Sequence, residues 1–146
     1  ADFSYGFWFK LEDTENGYLV GVQSIGNSTG VGLTIDVGDG KIRSRPFGVT
    51  AVYTSAAYDD GEWHYAHHNI DRSANAILYI DKTAVLTQDI SGVTGNVLST
   101  NSWNIGAESG TSTFLAGEID DLIIYSSKLS FAQIKRNYNA GKRSHR

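Results

Sequence analysis

The chain has 146 residues, 40% of them hydrophobic and 19% charged, which suits one folded domain with a real core and not a disordered segment. Its net charge of −4 argues against a general nucleic-acid binder, which shows a basic face, and no apolar run approaches the ~20 residues of a membrane span. Sixteen glycines, one proline, no cysteine and 12% aromatic residues point to an all-β chain with many turns and no disulfides.

Residues 2–11 alternate with period two. Phe3, Tyr5, Phe7, Phe9 and Leu11 share one face and Ser4, Gly6, Trp8 and Lys10 the other, so a strand is expected with the first face in the core. After a polar turn at 12–17, strands are expected at 18–25 and 31–37, separated by the Gly/Ser/Thr turn 26–30. Gly38-Asp39-Gly40 then supplies the positive φ of a tight hairpin turn into a strand at 41–45, with Pro46 at its end. A further strand is expected at 49–53.

Residues 59–82, DDGEWHYAHHNIDRSANAILYIDK, read as two strands, 62–71 and 76–81, around the polar turn 72–75. A short strand at 84–88 leads into a loop at 89–100. Strands at 103–107 and 114–125 follow, with a turn at 108–113 between them. The last element is helical: Ser130 is an N-cap, Phe131, Ile134, Lys135 and Tyr138 recur at helical spacing, and Gly141 closes it. Short strands at regular intervals define a two-sheet antiparallel sandwich or barrel, and the helix is expected to plug an edge. Residues 1–141 form this domain and the basic tail 142–146, Lys-Arg-Ser-His-Arg, is expected to be solvated. The chain has no methionine, even at position 1, and is read as a module of a larger protein.

Three ordered segments carry a family resemblance: Asp60-Gly61-Glu62-Trp63-His64, then Leu78-Tyr79-Ile80-Asp81, then residues 117–125, GEIDDLIIY, running on into Lys128-Leu129-Ser130 and Ile134…Tyr138-Asn139-Ala140-Gly141. Together with the strand around Trp8, this looks like a laminin G-like domain of the concanavalin A-like lectin/glucanase superfamily. The resemblance implies a jelly-roll sandwich whose concave sheet carries the ligand. It also implies a calcium ion near Asp120 or Asp121, with Asp2 as a further ligand. The sequence departs from the family in three places. A strand that the family places before Phe3 is missing. Lys82 stands where a glycine is usual, and His68 occupies an apolar phase.

His64, His67 and His68 resemble a metal cluster only on paper. On a strand His64 and His68 share a face about 13 Å apart and His67 points the opposite way, so they cannot share one zinc ion. His64 and His68 are therefore expected to be structural. Glu118 and Asp120, two apart on a strand, fall ~6–7 Å apart, near the ~5–5.5 Å spacing of retaining glycosidases. The further glutamate of the superfamily's catalytic strand is missing, so the chain is read as a non-enzyme. No phosphate-binding GxxxxGK[ST] loop occurs.

Strand phase turns Trp8, Arg43, Arg45, Tyr65, His67, Asn69 and Tyr79 outward. Aromatic faces take the C–H side of a sugar, and Asn, His and Arg bond hydroxyls or an acidic group, so these seven are the expected carbohydrate-binding set. The expected function is a non-catalytic, lectin-like module of an extracellular, cell-surface or virion protein that binds a glycan or polysaccharide, uronate or sulfated sugars included. Two alternatives stand beside it: a protein–protein adhesion or decoration module, and a glycoside hydrolase using Glu118 and Asp120.

Overall fold

A computed structural model describes residues 1–12, 17–22, 31–35, 39–93, 102–107 and 114–146, with backbone alone at 32–35. The turns expected at 26–30 and 108–113, the ends of the second and third strands, Gly38, and most of the loop at 89–100 lie outside the described residues. The elements run β1 (Phe3–Leu11), β2 (Gly17–Gly21), β3 (Gly32–Ile35), β4 (Lys41–Ser44), β5 (Val52–Ala57), β6 (Trp63–Ile70), β7 (Asn75–Ile80), β8 (Thr83–Asp89), β9 (Asn104–Ile105), β10 (Gly117–Tyr125) and α1 (Phe131–Gly141). They form two five-stranded antiparallel sheets, ordered β10-β1-β6-β7-β8 and β5-β4-β3-β2-β9. The chain is the two-sheet antiparallel sandwich that its turn spacing implied, with the jelly-roll form that the resemblance implied.

The alternation along β1 builds the core. Tyr5, Phe7, Phe9 and Leu11 are fully buried, and Ala66, His68 and Ile70 of β6 and Leu78 and Ile80 of β7 join them on the same inner face. His68, the polar residue in this apolar phase, shares a hydrogen bond of 2.8 Å with the Tyr5 hydroxyl, which also lies in the core. Burial of a neutral imidazole is tolerable when its ring nitrogen is satisfied. A second polar bridge joins the sheets: the Ser44 hydroxyl of β4 donates to Gln88 Oε1 of β8 (2.8 Å), and Gln88 Nε2 donates to the Thr50 carbonyl (3.0 Å).

Several elements depart from the expected bounds: β9 is Asn104–Ile105 and not 103–107, and β10 begins at Gly117 and not at 114. The strand expected at 49–53 is β5, Val52–Ala57, because Pro46–Gly48 form a 3-10 turn in which Phe47 takes φ 53° and lengthens the connection. Between β7 and β8 the chain turns at Asp81 and Lys82, both at positive φ (48° and 73°). The lysine that replaces the family's glycine accepts this conformation and sets its ammonium 4.6 Å from the centroid of the Tyr138 ring, a cation–π contact onto α1.

The helix forms as expected but sits elsewhere. Ser130 caps it through a reciprocal capping box with Gln133. Instead of plugging an edge, α1 lies on the outer face of the first sheet. There Ile134 and Tyr138, four apart on one helical face, pack on Trp8 and Tyr65 to form a second apolar cluster. Polar latches fix the approach to it. Asn69 Nδ2 donates to the Leu129 carbonyl (2.8 Å), Leu129 N–H donates to Asn69 Oδ1 (3.0 Å), and the Ser4 hydroxyl donates to the Ser127 carbonyl (2.8 Å).

Candidate functional site

The seven expected sugar-contacting residues divide between two opposite faces of the sandwich. Trp8, Tyr65, His67, Asn69 and Tyr79 lie on the outer face of the first sheet; Arg43 and Arg45 belong to β4 and its continuation in the second sheet. On the first sheet the expectation of an open surface is corrected. Trp8 is 3% exposed, Tyr65 4%, His67 0% and Asn69 7%, while Tyr79 is half-buried with its ring near Phe131 of α1. Phase placed these side chains on the right side of the sheet, but α1 covers that side. Trp63 joins the same covered cluster instead of the inter-sheet core, whereas Trp103 packs edge-on to Tyr5 at 5.2 Å between the sheets.

Beneath α1 the polar groups are already spent on one another. His67 Nε2 donates to Asn69 Oδ1 (3.1 Å), and its Nδ1 lies 3.4 Å from the Tyr65 hydroxyl. Burial holds the imidazoles neutral, lowering His67 to about 4 and His68 to about 3, and pushes the Tyr65 hydroxyl up to about 12. Gly6 makes this packing feasible: a Cβ there would stand 2.5 Å from the Tyr65 hydroxyl and 2.7 Å from His67 Nδ1. Gly6→Ala is expected to lower unfolding free energy by about 1–3 kcal/mol in urea melts through overpacking; an unchanged midpoint would mean the two rings move aside freely.

His64 behaves as a structural residue, as expected. Its Nδ1 is 2.6 Å from Asp81 Oδ2 and its Nε2 3.1 Å from Asp60 Oδ1. Burial alone would lower its pKa, but the two carboxylates outweigh burial and raise it. Asp81 also accepts the Tyr65 N–H (2.9 Å), so this pair pins the start of β6 to the β7–β8 turn.

The second sheet presents a different outer face. Arg43 pairs across the ladder with Tyr53 of β5, which is 43% exposed, and Lys41 and Arg45 stand two residues to either side on the same face. Arg43 Nε is buried without a hydrogen-bond partner. Neither Arg43 nor Arg45 has a carboxylate partner among the described residues. Lys41, by contrast, is paired with Asp39, Nζ to Oδ2 at 2.6 Å.

The expected metal ligands do not assemble as a set. Asp2 precedes β1, six residues from Trp8, whose ladder partner is Asp120; at ~3.3 Å per residue Asp2 is about 20 Å from Asp120, and it accepts the Arg72 N–H instead (2.9 Å). Asp120 and Asp121 do come together, and their third neighbour is His145, in the tail expected to be solvated. His145 is 6% exposed, stacked on Trp8 with ring centroids 4.4 Å apart and planes at 1°, and edge-on to Trp63. Two carboxylates and an imidazole nitrogen do not fit calcium, which takes six to eight oxygens. Glu118 and Asp120 are both exposed on the edge strand β10, and the open cleft of about 300 Å³ beside them is lined by Asp121, Ile123 and Asn137 and not by that pair.

The two sheets and their order are those of a concanavalin A-like jelly roll. The family model of Laminin_G_3, described as the concanavalin A-like lectin/glucanases superfamily, matches residues 1–135, and the chain belongs to this family. No curated protein sequence matches it. Among solved structures it is similar to the binding domain of Paraclostridial Mosquitocidal Protein 1 (16% identity, TM-score 0.76), covering 96% of this chain and 37% of that one. It also resembles a heptameric SAP-like pentraxin from Limulus polyphemus (16%, TM-score 0.70; 92% and 68% covered). A third similar structure is Trypanosoma rangeli sialidase in complex with the inhibitor DANA (15%, TM-score 0.73; 94% and 22% covered). At these identities the likeness is one of fold, and the chain spans about two thirds of the pentraxin but only a fraction of the other two.

Proposed function

We propose that this chain is a non-catalytic carbohydrate-binding module of an extracellular, cell-surface or virion protein, and that it docks an acidic glycan on the outer face of the second sheet. The observation that carries the reading is Arg43, a guanidinium without an acidic partner among the described residues, beside the exposed ring of Tyr53 on an otherwise acidic chain. A uronate or sulfate accepts the bidentate fork of Arg43, Arg45 adds charge ~6–7 Å along the strand, and the Tyr53 ring takes the apolar side of a pyranose. The reading moves the site away from Trp8, Tyr65, His67 and Asn69, which support the fold. Titration with uronate and sulfated oligosaccharides is expected to show binding that weakens about tenfold or more in Arg43→Ala, equivalent to ~1.4 kcal/mol or more, and persists in Glu118→Gln. Binding that is absent, or unchanged in Arg43→Ala, overturns this site.

One observation favours a second reading, a protein–protein contact. Among the described residues β10 is an edge strand nine residues long, with Ile123 51% and Ile124 47% exposed. Light scattering separates the readings: concentration-dependent self-association without glycan binding supports the edge as the functional surface.

A further inference from the structure

In a regular strand Asp120 and Asp121 would point to opposite faces. Here the β1–β10 ladder slips between the pairs Gly6↔Ile123 and Trp8↔Asp120, so β10 spends three steps where β1 spends two. Asp121 takes up the extra residue at φ 51°. Such a bulge re-aims a side chain, and both carboxylates end on the side where the C-terminal segment returns.

His145 meets them there. Its ring is clamped between Trp8 and Trp63, its side chain is 2% exposed, and its Nδ1 donates to the Gly141 carbonyl at 2.8 Å. A carbonyl only accepts, so this bond puts a proton on Nδ1 and turns Nε2 towards Asp120 Oδ2 at 3.2 Å and Asp121 Oδ2 at 4.0 Å, where it is free to ligate a metal whenever it carries no proton. Two carboxylate oxygens and this imidazole nitrogen converge, an arrangement that either a proton on Nε2 or a bound cation satisfies. A proton on Nε2 serves Asp120 and leaves the trio at net −1; a divalent ion brings it to neutrality.

We propose that Asp120, Asp121 and His145 form a binding site for a divalent cation of the zinc class, which ties the C-terminal segment to the edge strand β10. The ligand atoms lie within 4.8 Å of one another. Zinc bonds of about 2.0–2.2 Å set tetrahedral ligand spacings of roughly 3.3 Å, and the two Asp side chains, 61% and 60% exposed, are free to rotate into them. The imidazole nitrogen selects zinc, cobalt or nickel over calcium and magnesium. Its bond to Gly141 is the second contact that metal-bound histidines use to hold their orientation. The cleft that Asp121 lines gives an ion access and leaves room for water as the remaining ligand. This inference does not rest on the glycan reading.

Calorimetric titration of the tag-free, chelator-treated 146-residue chain with Zn²⁺ alone tests it. One saturable site per chain is expected, with a rise in melting temperature that grows with zinc concentration, as for any ligand that binds only the native state. His145→Gln and Asp121→Asn are each expected to weaken binding about tenfold or more, and His64→Gln to leave it unchanged. Asp121 is exposed, so its variant keeps the test sound even if His145→Gln loosens the fold. Absence of saturable zinc binding, wild-type affinity in Asp121→Asn, loss of binding in His64→Gln, or tighter binding of Ca²⁺ than of Zn²⁺ each overturns the proposal.

Discussion

Unfolding free energy is expected to fall as pH drops from 6.5 towards 4, with a steepest slope of up to ~2.7 kcal/mol per unit near pH 5, the linkage limit of two histidines. The unfolded chain carries His67 and His68 at ordinary values near 6.5, while burial lowers them to about 4 and about 3 in the native state. Unfolding therefore takes up protons in this window, and the stability present above pH 6.5 is lost as pH falls towards the native values. His64 works in the opposite sense. Its raised value gives a contribution that is complete below about 6.5 and lost as pH rises through the raised value, so it adds nothing to the slope in the acid window. The loss summed to pH 4 is about 5 kcal/mol, which reaches only the lower end of a typical domain stability of about 5–15 kcal/mol. Urea titrations at half-unit pH steps measure it. His68→Leu strips the Tyr5 hydroxyl of its partner, so this variant is expected to be less stable at pH 7 yet about half as steep in acid. A flat profile between pH 6.5 and 4.5 would contradict the buried, neutral state of both rings.

Trp8→Ala is expected to cost about 3–5 kcal/mol, the range for removing a large core aromatic. Trp8 is the floor on which α1 and the tail rest: its ring stacks on His145, lies 5.5 Å from Tyr138 and 5.4 Å from Tyr65, and abuts Gly141 so closely that a Cβ there would collide with the indole. A solvent-facing sugar platform would give a change within about 0.5 kcal/mol together with lost binding. Urea unfolding and glycan titration on the same variant discriminate the two roles. A loss under 1 kcal/mol would return Trp8 to the surface.

The sandwich was legible because period-two alternation in β1 and the turn spacing report directly on which side of a sheet a residue points. What lies above that side is a separate matter. The phase of β6 correctly turned Tyr65, His67 and Asn69 away from the inter-sheet core, yet nothing in the strand itself states that a helix covers them. The signal was split between two distant segments: an outward Trp8 and Tyr65 needing cover, and a helical face of Ile134 and Tyr138 needing somewhere to pack. The bulge at Asp121 has no sequence mark, because aspartate reads equally well as an ordinary strand end. His145 was hidden in a basic tail whose neighbours are solvated, and a single buried residue in such a run leaves no periodicity to detect. Arg43 and Arg45 were readable as outward residues, but their separation from the aromatic set depends on sheet membership, which emerges only from the strand order.

The position of β1 has a kinetic consequence. β1 is interior to its sheet, flanked by β6 and β10, and the Ser4–Ser127 bond joins residues 123 apart. On a ribosome, β1 would wait beside β6 with one edge bare until β10 and the turn beyond it had cleared the exit tunnel. Closure of so long a loop makes folding slow, and the half-formed sheet would be open to pairing with strands of other chains in the interval.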